Sequence, residues 1–293
     1  MQDSRMILIT GATGNLGQSV VKQLQQHLAL NEYAVLARNS NKAQHYVNQG
    51  IKTIFGDFDL PESLNEAFQG IDKLLLISTM EQNRFEQHKN VIDAAKNAGV
   101  KHIIYTGLAI QNIETSAVKD LMISHFQTEE YLKASGLKYT ILHNSMYAEA
   151  IPQIIGEHAA TTGLALAGGT GKVPYALRAE YGEAAANALI QNGHENKIYS
   201  LAGSHAYSYQ DIADLLTEIS KQKVNYQNLD DASYRDLLQS IGLSEFLVYL
   251  THGTVLDIQQ HQYEVASTDL EMLLGRKTQP LKDYLTAVYA SNS

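Results

Sequence analysis

The stretch Thr10-Gly11-Ala12-Thr13-Gly14-Asn15-Leu16-Gly17 decides how the rest of this chain is read. It follows a short apolar run, Met6 to Thr10, and opens onto Leu16, Val20, Leu24 and Leu28, which recur every fourth residue as one helical stripe. A G-x-x-G-x-x-G spacing between strand and helix has three physical uses. It allows a tight turn at the first glycine, close backbone approach to a pyrophosphate at the second, and close helix–strand packing at the third. The helix N-terminus then offers free N–H groups and the positive end of its dipole to the anion. A merely structural turn does not explain three glycines at this period, so Gly11, Thr13, Gly14, Asn15, Leu16 and Gly17 are expected to bind a dinucleotide.

From residue 6 to about 145, short β-rich runs alternate with amphipathic stretches, the pattern of βαβ units on a parallel sheet. Strands are expected at Met6 to Thr10, Tyr33 to Ala37, Lys52 to Phe55, Lys73 to Ile77, His102 to Thr106 and Tyr139 to Leu142. Pro61 and Gly70 bracket one helix, and Gly99 and Gly136 each close another just before an apolar run. The predicted fold class is α/β, a Rossmann-type doubly wound parallel sheet with a smaller, mostly helical C-terminal lobe.

After about 145 the alternation fails. The run Gly168-Gly169-Thr170-Gly171-Lys172 lacks the earlier glycine and the Ser/Thr of a phosphate-binding P-loop, and reads as a flexible turn. A helix is expected from about Glu180 to Gln191 and a strand from Lys197 to Ala202. Ser208-Tyr209-Gln210-Asp211 has the capping-box pattern and should open another helix, with a strand near Val224 to Tyr226 beyond it. These later strands are expected to return to the sheet. The division predicted is an N-terminal dinucleotide domain, 1–150, rejoined by about 180–203, and a substrate-side lobe, 151–293.

The end of the second strand chooses the cofactor. An acid there accepts from the ribose 2′-hydroxyl of NAD, whereas an Arg accommodates the 2′-phosphate of NADP. This chain has Leu36-Ala37-Arg38-Asn39, with Lys42 following, so Arg38 favours NADP(H); the alternative is an exposed surface Arg. Asp57 and Phe58, after the third strand, sit where the adenine would lie, and Ser78, Thr79 and Met80, after the fourth, on the path to the nicotinamide ribose. An Asp so placed is also a common turn residue.

Composition excludes other classes. With no cysteine in 293 residues, disulfide scaffolds, thiolate-bound metals and a catalytic thiolate are ruled out, so redox chemistry needs a borrowed cofactor. The formal charge of −9 and scattered Lys and Arg give no basic stripe, and nucleic acid is not an expected partner. The eleven histidines lack metal-ligand spacing, and no metal is expected. No apolar run reaches the ~18 residues of a membrane span and Met1-Gln2-Asp3-Ser4-Arg5 carries no signal pattern, so the expected location is cytoplasmic and off the membrane. A homodimer is compatible with the sequence.

Short-chain dehydrogenases acting on alcohols use a Tyr-x-x-x-Lys pair to move the substrate proton, and none of the 17 tyrosines here has Lys four residues on. Where that pair would lie stands His125-Phe126-Gln127-Thr128-Glu129. Together with Gly11 to Gly17, further stretches carry a resemblance: Ala37-Arg38-Asn39, Leu74-Leu75-Leu76-Ile77-Ser78, His88-Lys89-Asn90-Val91-Ile92-Asp93-Ala94-Ala95, Tyr105-Thr106-Gly107, Tyr139-Thr140-Ile141-Leu142-His143-Asn144 and Gly193-His194-Glu195-Asn196-Lys197-Ile198-Tyr199. On these, nearly end to end, the chain resembles the NmrA-like, atypical short-chain dehydrogenase/reductases, on their quinone- and triphenylmethane-reductase side.

The resemblance implies that the glycine turn and Arg38 hold NADPH and that Asn144, Met146, Tyr147 and Glu149 belong to the nicotinamide end. The family usually has Arg where this chain has His143, and no role is assigned to that position. The implied activity is hydride transfer to a quinone or similar small planar aromatic electrophile in an aromatic-lined pocket. Such acceptors need little help from an enzymatic acid, so orientation carries most of the catalysis. Tyr147 is a candidate catalytic residue. His125 is another, either lending a hydrogen bond or charge to the reduced oxygen or serving only as a helix-start residue. The other reading is an NmrA-type redox sensor that holds NADP and regulates a protein partner without turnover.

Overall fold

The computed structural model describes residues 6–290; Met1 to Arg5, expected to carry no signal pattern, lie outside them. In chain order the first half runs β1 (Met6–Ile9), α1 (Asn15–His27), β2 (Tyr33–Ala37), α2 (Ser40–Asn48), β3 (Lys52–Phe55), α3 (Pro61–Ala67), β4 (Ile71–Leu76), α4 (Arg84–Asn97), β5 (His102–Leu108), α5 (Lys119–Ala134) and β6 (Lys138–Asn144). Short helices α6 (Ile151–Ile155) and α7 (Ala159–Thr162) and strand β7 (Leu164–Leu166) follow, then α8 (Arg178–Ile190) and β8 (Lys197–Leu201). The chain ends with α9 (Tyr209–Ser220), β9 (Tyr226–Asn228), α10 (Asp231–Ser240), α11 (Glu245–Gln259), α12 (Asp269–Leu274) and α13 (Leu281–Tyr289).

The chain forms two compact units. The first comprises the segments to Leu108, Ile123–Asn144 and Arg178–Tyr199; the second comprises Ala109–Met122, Ser145–Leu177 and the segment from Ser200 onward. Residues 109–122 and 145–150, inside the stretch expected to be one dinucleotide domain, thus pack with the second unit.

The first unit is built on a seven-stranded sheet in the order β3-β2-β1-β4-β5-β6-β8. The pairings from β3 through β6 are parallel. Strands covered on both faces cannot alternate polar and apolar residues, and β2 (Tyr33-Ala34-Val35-Leu36-Ala37) is buried at every position. All six expected strands form, each within two residues of its expected start and end, and β8 adds the seventh. The order reverses at β1, whose neighbours are β2 on one side and β4 on the other. That reversal opens a crevice beyond the strand C-termini, the usual ligand position in open α/β sheets.

Helix α1 buries Leu16, Val20 and Leu24 as its periodicity requires, while Leu28 falls at the C-cap. Helix α8 approaches it closely because Gly182 has no side chain: a Cβ there would lie 2.5 Å from Ser19 Cβ and 3.1 Å from the Val20 nitrogen.

In the second unit Ser208 and Asp211 form the expected capping box at α9, with both reciprocal hydrogen bonds made. The expected strand near Val224 lies two residues later, as β9, and does not return to the main sheet. It pairs in parallel with β7 alone, Leu164 opposite Tyr226. The turn at 168–172, expected to be flexible, is tied down instead. A Cβ on Gly171 would meet the Ile258 carbonyl at 1.7 Å, and the Lys172 N–H donates to Glu264 Oε1 at 2.8 Å. Its glycines serve close packing, a use that spacing alone does not reveal. No helix among the described residues is long and apolar enough to cross a membrane.

The α1–α8 contact sets a testable limit. Ala is the better helix former by up to ~1 kcal/mol, but the added methyl meets backbone, and overpacking costs ~1–3 kcal/mol. Gly182→Ala is therefore expected to lower the thermal midpoint, read by circular dichroism; a rise would refute the close approach.

Candidate functional site

At the crevice the glycine turn has the geometry its spacing requires. Gly11 holds a left-handed backbone, φ +60°, with its Cα against Ile77. Gly17 sits so close beneath the turn that a Cβ would lie 2.2 Å from the Gly11 carbonyl oxygen. Gly14 is different: a Cβ there would find only the Gly11 oxygen, at 3.3 Å, and open space beyond. No side chain caps α1, so the N–H groups of its first turn are left for a ligand. The Leu16 side chain is buried in the core, leaving only its backbone for a ligand. The Thr13 carbonyl is held by Gln18 Nε2 at 3.0 Å and that of Asn15 by the Ser19 hydroxyl at 3.1 Å.

A cleft of about 160 Å3 begins at this turn, bordered by Gly11, Thr13, Arg38, Asp57, Phe58 and Thr79. Against the roughly 300–1,000 Å3 of ordinary ligand sites, that suits one end of a dinucleotide. Arg38 follows β2 and is exposed, with no hydrogen bond or ion pair to any described residue. The next residue, Asn39, caps α2 by accepting from the N–H groups of Asn41 and Lys42. Asp57 is engaged in its own turn: its N–H donates to Ser63 Oγ at 2.9 Å, and its Oδ1 accepts from the Asp59 N–H at 3.0 Å. Phe58 is half-buried against the core beside it.

The segment after β4 is pinned from three sides. Thr10 Oγ1 accepts from the Ile77 N–H at 3.1 Å, Thr106 Oγ1 from the Ser78 N–H at 2.9 Å, and the Thr79 hydroxyl donates to Gln87 Oε1 at 2.8 Å. Met80 is more than half exposed, and its sulfur lies 3.7 Å from an Arg84 guanidinium nitrogen.

Behind the segment lies a buried polar layer. Arg84 is fully buried, donating to the Thr79 carbonyl and, at 2.8 Å, to Ser124 Oγ. His88 pairs through Nδ1 with Thr128 Oγ1 at 3.0 Å, and burial, with the Arg84 charge second, pushes it down to about 3. His125 pairs through Nδ1 with the Tyr105 hydroxyl at 2.8 Å. Burial, then Arg84, His88 and His143, hold it well below the usual histidine range. It therefore stays neutral, which corrects the expectation that His125 lends charge to a reduced oxygen: burial and the Arg84 charge oppose its protonation. On the next turn of α5, buried Glu129 accepts from His143 Nε2 at 2.8 Å.

Asn144 ends β6 and is buried in the first unit. Met146, Tyr147 and Glu149 belong to the second unit, each half-buried, with Tyr147 bridged through its backbone to Ala176. Reading the sequence missed Gln87, which borders the cleft and also donates to Asp59 Oδ2 at 3.0 Å, and Tyr46, whose hydroxyl donates to the Ala12 carbonyl at 2.6 Å. Burial pushes the Tyr46 hydroxyl up to about 12, so it remains a donor. Neither is signalled locally: Tyr46 lies 34 positions from the turn it braces.

Two outcomes follow from these contacts. Tyr46→Phe leaves the Ala12 carbonyl without that donor and should cost about 1 kcal/mol in urea unfolding, whereas Arg38→Ala should leave stability within ~0.5 kcal/mol. Separately, the unfolded chain protonates its histidines near pH ~6.5. Folded His102, pushed down to about 4 chiefly by burial, and His88, at about 3, stay neutral far below that. Stability contributed by the neutral forms is present above pH ~6.5 and is lost as pH falls toward those values. Unfolding free energy should therefore drop steeply between about pH 7 and about pH 4, and less so in His88→Asn; a flat profile would contradict the burial.

Comparison with known proteins agrees with this architecture. The model of the NmrA-like family matches residues 3–284. Quinone oxidoreductase 2 of Escherichia coli K12 is 37% identical, covering 98% of this chain and 100% of its own. The crystal structure of an Escherichia coli NADPH-dependent quinone oxidoreductase complexed with NADPH superposes with a TM-score of 0.89 at 37% identity, over 97% of this chain and 100% of that one. Citrobacter triphenylmethane reductase complexed with NADP(H) gives a TM-score of 0.89 at 32% identity, over 97% and 99%. By sequence and by fold, the chain belongs to the NmrA-like family.

Proposed function

We propose that this protein is an NADP(H)-dependent oxidoreductase that passes hydride to a quinone or a similar planar aromatic electrophile. One observation carries the cofactor choice. Beside the cleft, at the end of β2, stands the exposed guanidinium of Arg38, and Leu36-Ala37-Arg38-Asn39 supplies no carboxylate for a ribose 2′-hydroxyl. A guanidinium answers a 2′-phosphate with charge-assisted, paired hydrogen bonds. The glycine turn fits the rest: Gly14 leaves room for a pyrophosphate, and the uncapped first turn of α1 turns its N–H groups toward it. Resemblance to a quinone oxidoreductase over nearly the whole chain supports the acceptor class.

When bound, NADPH supplies the hydride. The chain's own residues then bind and orient. Asp57 and Phe58 border the adenosine end through backbone and ring, and the pinned 77–79 backbone forms a rigid floor along the path past β4. The Tyr46–Ala12 bond keeps the turn from reorganising when the anion arrives. Holding one planar ring against another is expected to supply a large share of the rate.

Arg38→Asp should weaken NADPH binding about 10- to 100-fold, as loss of a ~1.5–3 kcal/mol charged hydrogen bond implies, while NADH affinity changes by less than about threefold. Fluorescence titration reads both, and equal losses would overturn the 2′-phosphate assignment. NADPH oxidation should accelerate on adding a small 1,4-quinone. Binding of NADPH without turnover of any quinone or cationic dye would replace this reading with that of a redox sensor.

A further inference from the structure

We propose that His143, oriented by the Glu129 carboxylate, is the catalytic acid that delivers the proton completing quinone reduction. This rests on the hydride-transfer reading above.

The pair is built rather than incidental. Glu129 lies on α5 with its side chain only 4% exposed, and its Oε1 is 2.8 Å from Nε2 of His143, the penultimate residue of β6. Directly across the sheet, His143 registers with Gly107 of β5. A Cβ on Gly107 would sit 2.8 Å from Glu129 Oε1 and 3.1 Å from His143 Cδ2, so the absence of a side chain there gives the pair its room. His125 and Glu129 stand at i and i+4 on α5, the spacing of the missing Tyr-x-x-x-Lys pair, and the two are not equivalent. His125 is buried, bonded to Tyr105 and held neutral; His143 is 20% exposed and so can exchange protons with water.

The chemistry follows from which nitrogen is used. A carboxylate acceptor fixes a proton on Nε2, which orients the ring and leaves Nδ1 facing away from Glu129. Nδ1 makes no hydrogen bond to a described residue, so it is the nitrogen that gives and takes a proton. The site lies at the right end of the cleft. The adenosine-sized space borders β1, β2 and β3, so a dinucleotide crossing the reversal at β1 carries its reactive end toward the C-termini of β4, β5 and β6. In the step itself the hydride and its electron pair leave the reduced nicotinamide for one quinone oxygen, forming an O–H bond and oxidising NADPH to NADP+. The second oxygen becomes a phenolate. The His143 Nδ1–H bond breaks, its proton goes to that phenolate, and the neutral imidazole regains a proton from water. A triarylmethyl cation takes hydride alone, forms a C–H bond and needs no such proton.

The test compares 1,4-benzoquinone with crystal violet as acceptors for the unmodified protein and for His143→Gln and Glu129→Gln. NADPH affinity of each is measured by fluorescence, and solvent deuterium effects are measured on single turnovers. The quinone-to-dye rate ratio is expected to fall about 10- to 100-fold in His143→Gln, and the solvent isotope effect on the quinone rate is expected to vanish. NADPH affinity should stay within about twofold. Glu129→Gln should lower the ratio in the same direction, as should Gly107→Ala, whose methyl crowds the pair. An unchanged ratio in a His143→Gln protein that binds NADPH, or a solvent isotope effect that persists, would overturn the proposal. If the unmodified protein binds NADPH yet reduces neither acceptor, the hydride-transfer reading fails first and the proposal falls with it.

Discussion

The approach of Gly17 to the carbonyl of Gly11 is the constraint on which the rest depends. With 2.2 Å between that oxygen and the place a Cβ would take, α1 can begin directly beneath the turn only if residue 17 is glycine. That closeness aims the first-turn N–H groups at the space Gly14 leaves open, and it seats Leu16, Val20 and Leu24 on the sheet. The same economy recurs on the other side of the helix, where Gly182 lets α8 lie against Ser19 and Val20. Helix α1 is therefore fixed by glycines on two faces, one in its own first turn and one contributed by α8. A binding site gains from such fixity because little has to be ordered when the ligand arrives.

The polar layer behind the segment after β4 works by the opposite means. Burying Arg84 and its neutral polar neighbours is expensive unless their hydrogen bonds are made. They are made: Arg84 reaches Thr79 and Ser124, His88 reaches Thr128, and His125 reaches Tyr105. A satisfied network of this kind has few alternative arrangements, which suits a floor that has to be in one place. It also explains why so many histidines sit together without a metal-ligand spacing. His88 and His125 are each held neutral by burial and serve as hydrogen-bonding struts.

The sheet was legible because its signals are local. Six strands follow from β-rich runs, three of them starting just after Gly70, Gly99 and Gly136, which end the preceding helices and each have a positive φ in the structure. The capping box at Ser208 was legible for the same reason. What stayed hidden depends on partners distant in sequence. Tyr46 braces a turn 34 residues away, Gln87 joins Thr79 to Asp59, and β9 finds β7 rather than the main sheet. The glycines at 168–171 misled in an instructive way: permissive backbone and close packing call for the same residue, and only the contact with Ile258 and Tyr209 separates the two uses. In the site, Arg38 was readable because specificity at the end of β2 turns on the sign of one charge. The Glu129–His143 pair was not, because its members lie 14 residues apart on different elements.

Access to water finally separates the groups near β5 and β6 by what they can do. A group that delivers one proton per turnover has to recover it from solvent each time, so complete burial disqualifies it whatever its chemistry. Tyr105 is fully buried, and burial pushes its hydroxyl upward; His125 is buried and held neutral beside the Arg84 charge. Both are better suited to holding structure than to exchanging protons. His143 alone of the three combines a carboxylate partner with a face that reaches solvent. The chain thus lacks the Tyr-x-x-x-Lys pair without lacking a means of proton delivery. The requirement is met across two elements, α5 and β6, instead of along one helix, and Gly107 between them provides the space in which they meet.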